Sequence, residues 1–196
     1  MDSFNFYTSL GLFHVLDFNA LDHLYFLVAL ASSYSNSKIS RLIYAVTFFT
    51  IGHTLALVLN YFLKLPLNFA IIEFLIPITI FLTCLPLILG NNKLTEYKFI
   101  KSLYFIWILT VIFGVIHGLG FSNFYSQIDS ESINLYNLIY FSLGIEFAQV
   151  IIVIAVVFFK VLINKVLNIS LIKMEKVIGI IILCLSSLMI YENVPF

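Results

Sequence analysis

All four histidines of this chain, and four of its ten acidic residues, lie in or beside apolar segments long enough to cross a bilayer. The histidines are His14, His23, His53 and His117, and the carboxylates are Asp17, Asp22, Glu73 and Glu146. An ionisable side chain at membrane depth costs on the order of 2.5–3.5 kcal/mol, so such residues rarely lie there without a partner or a function. Imidazole and carboxylate together are a ligand set for borderline divalent metals. These residue types therefore predict a metal site within a membrane protein.

The composition indicates the class of protein. Hydrophobic residues make up 62% of the 196 residues and charged residues only 10%, whereas charged residues are about 25% of a soluble protein. We therefore expect an integral membrane protein that has no room for a sizeable soluble domain. No basic patch or stripe indicates nucleic-acid binding, and the two cysteines lack zinc-type spacing. Residues 1–8 lack a basic region and a continuous apolar run, so we expect no cleavable signal peptide.

Six apolar stretches predict an all-α, polytopic bundle of six transmembrane helices that forms a single domain over residues 1–196. The stretches are approximately 21–34, 42–62, 69–89, 103–121, 138–159 and 177–191. The first stretch is short, and we expect its helix to extend upstream. Residues 1–20 are then expected to form an outer N-terminal segment.

The basic residues predict the orientation of this bundle. Nine of the ten lysines and arginines lie after the first, third and fifth stretches, and only Lys64 lies on the opposite side. Because short loops rich in lysine and arginine stay on the cytoplasmic side, both termini are predicted to face outward. The nine include Lys160, which directly follows the fifth stretch and which we assign to a loop.

With this orientation, the ionisable groups fall into one band in the outer half of the membrane. At 1.5 Å per helical residue, Glu73 and His117 lie about 6 Å from the outer ends of their helices, and His53 and Glu146 lie about 12–14 Å deep. Helical spacing also places polar residues on common faces, with Ser142, Glu146 and Gln149 in one helix and Thr50, His53 and Thr54 in another. The polar faces predict that several helices contribute to one site.

One pair of glycines has a structural interpretation. Gly114 and Gly118 are four residues apart in the stretch that contains His117. Small residues at this spacing let a neighbouring helix approach closely. We interpret the pair as a helix-packing motif and assign it no chemistry.

The segments that carry these residues also have a family likeness. They are residues 14–23, 50–55, 72–74, 113–121 and 143–149, and they resemble the HupE/UreJ family. Members of this family are small multi-span proteins associated with hydrogenase and urease and regarded as nickel or cobalt permeases. The likeness covers roughly residues 10–155, and its most specific parts are the Asp22–His23 pair and the block His117-Gly-Leu-Gly-Phe121.

The resemblance implies secondary uptake of a divalent transition metal across a bacterial inner membrane. It also implies that the leading histidine, the Asp22–His23 pair and Glu146 are needed for transport. Seven residues separate His14 from Asp22 in this chain, whereas the family usually has five at this place. Asp22 and His23 therefore match the family motif more closely than His14 does.

The resulting hypothesis is a nickel- or cobalt-type permease with a hydrated metal site that opens to the outer side. Its predicted ligands are Asp22, His23, His53, Glu73, His117 and Glu146, with His14 as a further candidate. Imidazole nitrogens and carboxylate oxygens suit Ni(II), Co(II), Zn(II) or Fe(II). The expected partners are the metal ion and the lipid bilayer, and the sequence is also compatible with a homo-oligomer.

Two alternatives use the same residues. An intramembrane zinc-dependent hydrolase would hold zinc with three histidines and use Glu73 or Glu146 as its general base, although the chain has no HExxH spacing. A b-type haem would be held between His53 and His117. The haem hypothesis does not account for the neighbouring carboxylates, and we favour a transporter over either alternative.

Overall fold

The computed structural model describes residues 2–17, 21–34, 39–89, 103–128 and 134–195. Within these ranges the chain forms seven α-helices and no β-strand, which confirms the all-α prediction. The helices are α1 (Ser3–Val15), α2 (Asp22–Ser33), α3 (Ile39–Leu63), α4 (Phe69–Leu89), α5 (Leu103–Ile128), α6 (Leu135–Leu167) and α7 (Leu171–Glu192).

Four of these helices, α3, α4, α6 and α7, are long and apolar enough to cross a membrane. Helix α5 contains a shorter apolar part, Trp107–Ser122. Helix α2 has 12 residues and therefore measures about 18 Å, less than the roughly 30 Å of a bilayer core. Each apolar stretch of the sequence coincides with a helix, and the chain is an integral membrane protein.

The first apolar stretch differs from the prediction, because its helix does not extend upstream. Helix α2 begins at Asp22, and the separate helix α1 ends at Val15. The Asp22 carboxylate accepts a hydrogen bond of 2.9 Å from the backbone N–H of His23. This N–H is one of those that a helix N-terminus leaves without an intrahelical partner, so the aspartate stabilises the start of α2 at this point.

Helix α1 packs with direct backbone contact against α6. A Cβ atom added at Gly11 would lie 2.0 Å from the carbonyl oxygen of Phe141, and one added at Gly144 would lie 2.1 Å from that of Thr8. Neither position has room for a side chain, so the two glycines allow the close approach. The contact brings His14, one turn after Gly11, into the helix bundle.

Helices α3 and α5 make a second close pair. A Cβ atom added at Gly114 would lie 2.2 Å from the carbonyl oxygen of Phe49, and one added at Gly118 would lie 2.4 Å from that of His53. The contacts advance along both helices in the same direction, so α3 and α5 run parallel. This geometry confirms the packing interpretation of the two glycines, and it places His53 beside His117.

Helix α2 lies in the interior, in contact with α4, α6 and α7. Seven of its 12 residues are buried: His23, Phe26, Leu27, Ala29, Leu30, Ala31 and Ser32. A helix that is buried on most of its surface has its position determined by neighbours on several sides. The N-terminal end of α2 therefore holds His23 at a defined place in the bundle.

Helix α6 is longer than the stretch that predicted it. It has 33 residues, begins after Asn134, whose side chain accepts from Tyr136 N at 3.0 Å, and ends at Leu167. Asn168 follows in the left-handed region at φ 52°, a common way for a helix to end. The assignment of Lys160 to a loop is therefore wrong, since this residue is helical and only 2% exposed.

We expect Gly114→Ala to lower the stability of the protein by about 1–3 kcal/mol, because α3 and α5 have to separate to admit the methyl group. Thermal unfolding in detergent measures this effect. The control is Gly120→Ala on the same helix, where an added Cβ would meet only side-chain atoms of Ile76 at 3.0 Å and Ile72 at 3.6 Å. Equal unfolding temperatures for the two variants would contradict the packing account.

Candidate metal centre

Four helices bring their histidines to one place inside the bundle. His14 lies on α1, His23 on α2, His53 on α3 and His117 on α5. The exposed fractions of His23, His53 and His117 are 3%, 0% and 2%. His14 is partly buried. The structure thus brings together all four histidines, including His14, the one that matched the family motif less closely.

The spacing of the rings fits shared coordination of one ion. One ligand nitrogen from each of His14, His23 and His53 lies within 4.8 Å of the other two. The ring centroids of His23 and His117 are 5.4 Å apart. Metal–nitrogen bonds of about 2.0–2.1 Å limit two ligand nitrogens to a separation of about 4.2 Å, so small side-chain adjustments complete a three-histidine site.

Two of the histidines are oriented by hydrogen bonds from their Nδ1 atoms. His23 Nδ1 lies 3.2 Å from Asp22 Oδ1, and His117 Nδ1 lies 2.8 Å from the carbonyl oxygen of Phe113. A carboxylate and a carbonyl only accept, so each Nδ1 donates a proton, and in the neutral form of each ring Nε2 keeps a free electron pair. Metal-binding histidines are held in this way by the partners of their other ring nitrogen.

Ring nitrogens of all four histidines lack hydrogen-bond partners in the described part of the chain. Five buried ring nitrogens lack a hydrogen-bond partner there: His14 Nε2, His23 Nε2, His53 Nδ1, His53 Nε2 and His117 Nε2. A buried polar atom without a partner costs about 1–3 kcal/mol, and natural proteins contain few of them. Several such atoms at one place indicate a ligand, and nitrogen donors indicate a transition-metal cation.

His14 lies on α1, which is not among the four candidate spans. Burial, with a smaller effect of the neighbouring His23, lowers the pKa of His14 to about 3. Burial thus favours the neutral ring, which is the form that binds a metal ion.

Asp22 contributes to the site by positioning His23. Its Oδ1 atom faces both the backbone N–H and the ring Nδ1 of His23, at 2.9 and 3.2 Å. The carboxylate thus fixes the ring and places a negative charge beside the cluster. This role is that of an outer partner of a metal ligand.

Glu146 lies in a second group of polar side chains, between α3 and α6. Its carboxylate accepts from the hydroxyl of Thr47 at 2.6 Å and from that of Thr50. The Thr50 hydroxyl also lies 3.0 Å from Gln149 Oε1. Thr47 and Thr50 precede His53 by six and three residues, so this group lies about 5–9 Å from His53 along the axis of α3. Glu146 is therefore a neighbour of the three-histidine group and not one of its members.

Glu73 is not brought to the histidines. It is exposed on α4, whereas Ile72 and Ile76 of the same helix face Gly120 of α5. The sequence predicted a suitable depth for Glu73, but its side chain is exposed and it is not grouped with the histidines. We therefore leave Glu73 out of the centre.

Aromatic side chains surround the histidines. The rings of His14 and Phe121 have centroids 3.8 Å apart, and Phe121 stacks on Phe141 at 5.3 Å. On the other side, Phe26 and Phe49 stack at 4.7 Å. The rings exclude water and so strengthen electrostatic interactions in the site. Helical spacing in the sequence indicates that these rings lie beside the histidines, since Phe49 precedes His53 by four residues and Phe121 follows His117 by four.

Comparison with known proteins identifies the family. A family model described as HupE / UreJ protein matches residues 1–192, nearly the whole chain. The chain belongs to the HupE/UreJ family. No curated protein and no solved structure matches it. The HupE/UreJ match extends beyond the segments of the sequence resemblance and includes all of α1 and α7.

We expect His53→Leu to stabilise the metal-free protein by about 1–3 kcal/mol, because the substitution removes two buried nitrogens that lack partners. Thermal unfolding in detergent with a chelator measures the change. His117→Leu is the matched control, since it also removes the 2.8 Å hydrogen bond to Phe113. An unfolding temperature for His53→Leu below that of His117→Leu would contradict this account of the site.

Proposed function

We propose that this protein is a nickel- or cobalt-type permease of the bacterial inner membrane, and that its substrate ion binds to His14, His23, His53 and His117. The observation that carries the proposal is the group of five buried ring nitrogens that have no partner in the described ranges, contributed by four different helices. Membership of the HupE/UreJ family supports it independently.

The chemistry of the centre supports selection of a borderline divalent ion. Imidazole nitrogens suit Ni(II), Co(II), Zn(II) and Fe(II), whereas Mg(II) and Ca(II) prefer oxygen ligands and Cu(I) prefers thiolate and thioether ligands. A doubly charged ion in an apolar interior also needs negative charge close by. Asp22 provides a carboxylate at the centre, and Glu146 provides a second one along α3.

The polar group around Glu146 supports a direction of transport. We place both termini on the outer side, because lysine and arginine concentrate at the opposite ends of the helices. The N-terminal end of α3 is then the inner end. Thr50, Glu146 and Thr47 therefore form a polar step from His53 toward the inner side, which a dehydrated cation can follow with oxygen ligands.

The intramembrane hydrolase has less support. A general base has to reach the water that it activates. Both carboxylates that this alternative would use are unsuitable in the structure, since Glu146 is bonded to Thr47 and Thr50 and Glu73 is exposed. We therefore favour movement of a metal ion over hydrolysis.

Metal titration of the purified protein tests the site. We expect Ni²⁺ or Co²⁺ to bind, and we expect each of three single substitutions to weaken binding. Loss of an outer partner of a metal ligand lowers affinity about 10–100-fold, so loss of a ligand should have an effect at least as large. The substitutions are His23→Ala, His53→Ala and His117→Ala.

Glu73→Gln is the control for this titration, because Glu73 is exposed on α4 and lies outside the centre. We expect it to bind as the wild type does. Wild-type affinity in all three histidine variants would refute the site. A loss of binding in Glu73→Gln would show that Glu73 belongs to the metal centre.

Uptake measurements test the polar step separately. We expect Glu146→Gln to bind metal at the histidines with little change but to lower uptake about tenfold or more, a loss of the size found for outer-shell partners. Thr54→Val is the matched control on α3, because its hydroxyl bonds Ser142 at 2.7 Å and not Glu146. Uptake by Glu146→Gln equal to that of Thr54→Val would exclude Glu146 from the path.

A further inference from the structure

Helix α6 contains a buried lysine that is not part of the histidine group and has no role in the function described above. Lys160 of α6 is 2% exposed, although it lies within a helix that is apolar enough to span a membrane. A cation in such a place is costly, and in membrane proteins it usually has a function and a defined partner.

The partners of Lys160 form an oxygen site for a cation. Its Nζ atom donates to the carbonyl oxygen of Ser32 at 2.9 Å and lies 3.5 Å from that of Tyr34 and 3.2 Å from Glu175 Oε1. A further oxygen, Ser32 Oγ, is buried and has no hydrogen-bond partner among the described residues. Carbonyl, carboxylate and hydroxyl oxygens are the ligands of cations, and here an ammonium group of the chain itself occupies the place.

This oxygen site lies at the C-terminal end of α2. A helix C-terminus carries a partial negative charge and unpaired carbonyls. Membrane transporters use the C-terminal ends of short, interrupted helices to bind coupling cations. Helix α2 has this form, since it has 12 residues, is buried, and ends at Ser33. Its other end carries Asp22 and His23 of the metal centre.

Lys160 also lies in line with the polar step. It follows Glu146 by 14 residues on α6, which places it about 21 Å further along the helix and within about 40° of the same face. In the proposed orientation this displacement is toward the inner side. A cation that leaves Glu146 toward that side therefore approaches the ammonium group of Lys160.

We propose that Lys160 is a tethered cation that closes the inner end of the metal path by occupying the oxygen site between α2, α6 and α7. This inference rests on the proposed transport function. The ammonium group repels an approaching divalent ion and blocks the oxygens that the ion would use. Passage requires Lys160 to leave Ser32 and Tyr34. Glu175, whose side chain is 25% exposed, provides a partner that leads away from the interior.

The test is Co²⁺ entry into liposomes that contain the full-length protein and an enclosed fluorescent chelator. The main variant is the double substitution Lys160→Met with Glu175→Gln, which leaves no unpaired buried charge. We expect its initial rate to exceed the wild-type rate about tenfold, equivalent to about 1.4 kcal/mol of barrier. Co²⁺ affinity in detergent should not change, because the histidines are untouched.

Two controls separate the charge from general damage to the helix. Lys160→Arg keeps a cation in the oxygen site, and Lys165→Met removes an exposed lysine from the same helix. We expect both variants to transport at about the wild-type rate. Faster entry in the double variant alone, with unchanged Co²⁺ affinity, supports closure by the ammonium group.

The contrary outcomes are distinct. A double variant that binds Co²⁺ normally and transports at the wild-type rate, or more slowly, overturns the inference and leaves the proposed function intact. Wild-type protein that neither binds nor passes Co²⁺ overturns the proposed function and the closure with it. If the double variant does not fold, the Co²⁺ entry rate of Glu175→Gln alone tests the inference, because this substitution removes the carboxylate partner of Lys160. An unchanged rate in that variant also overturns the inference.

Discussion

Five buried imidazole nitrogens that have no hydrogen-bond partner among the described residues are the constraint on which the rest of this structure depends. Each unsatisfied atom costs about 1–3 kcal/mol, so the chain keeps them together only because other contacts determine where the helices lie. Those contacts are backbone against backbone, at Gly11 and Gly144 for α1 and α6 and at Gly114 and Gly118 for α3 and α5. A cation at the proposed site would bind one nitrogen of each histidine, so metal binding and the stability of the fold would be linked.

The centre consists of two parts that are held differently. His53 and His117 lie on α3 and α5, whose parallel backbones touch and keep the two rings at a fixed distance. His14 and His23 come from two separate helices, α1 and α2. The affinity of such a site for a metal ion changes when His14 and His23 shift relative to His53 and His117. A ligand that prefers one arrangement then shifts the populations of the two arrangements, as the proposed transport requires.

The sequence predicted the helices from the long apolar runs, and it predicted that the histidines lie close together. The reason is that ionisable residues in such runs rarely lie there without a partner. Residue spacing gives an expected depth for Glu73 but not the rotation of α4 about its axis, and Glu73 is exposed on that helix. The sequence prediction also ended the fifth stretch before its first basic residue, and so assigned Lys160 to a loop. The partners that allow this lysine to be buried are carbonyls of α2, more than 120 residues earlier in the chain, and local sequence carries no signal of them. The separate helix α1 was missed because the residues after Val15 looked like a continuation of α2.

Helix α2 connects the two ends of the proposed path. Its N-terminus, with a partial positive charge, lies at the histidines, and its C-terminus, with a partial negative charge, lies at Lys160. The helix dipole therefore opposes a metal ion at the first end and favours the ammonium group at the second, while Asp22 offsets part of the opposition. In the proposed transport function, this arrangement would give the ion a moderate affinity, and Lys160 would close the inner end of the path.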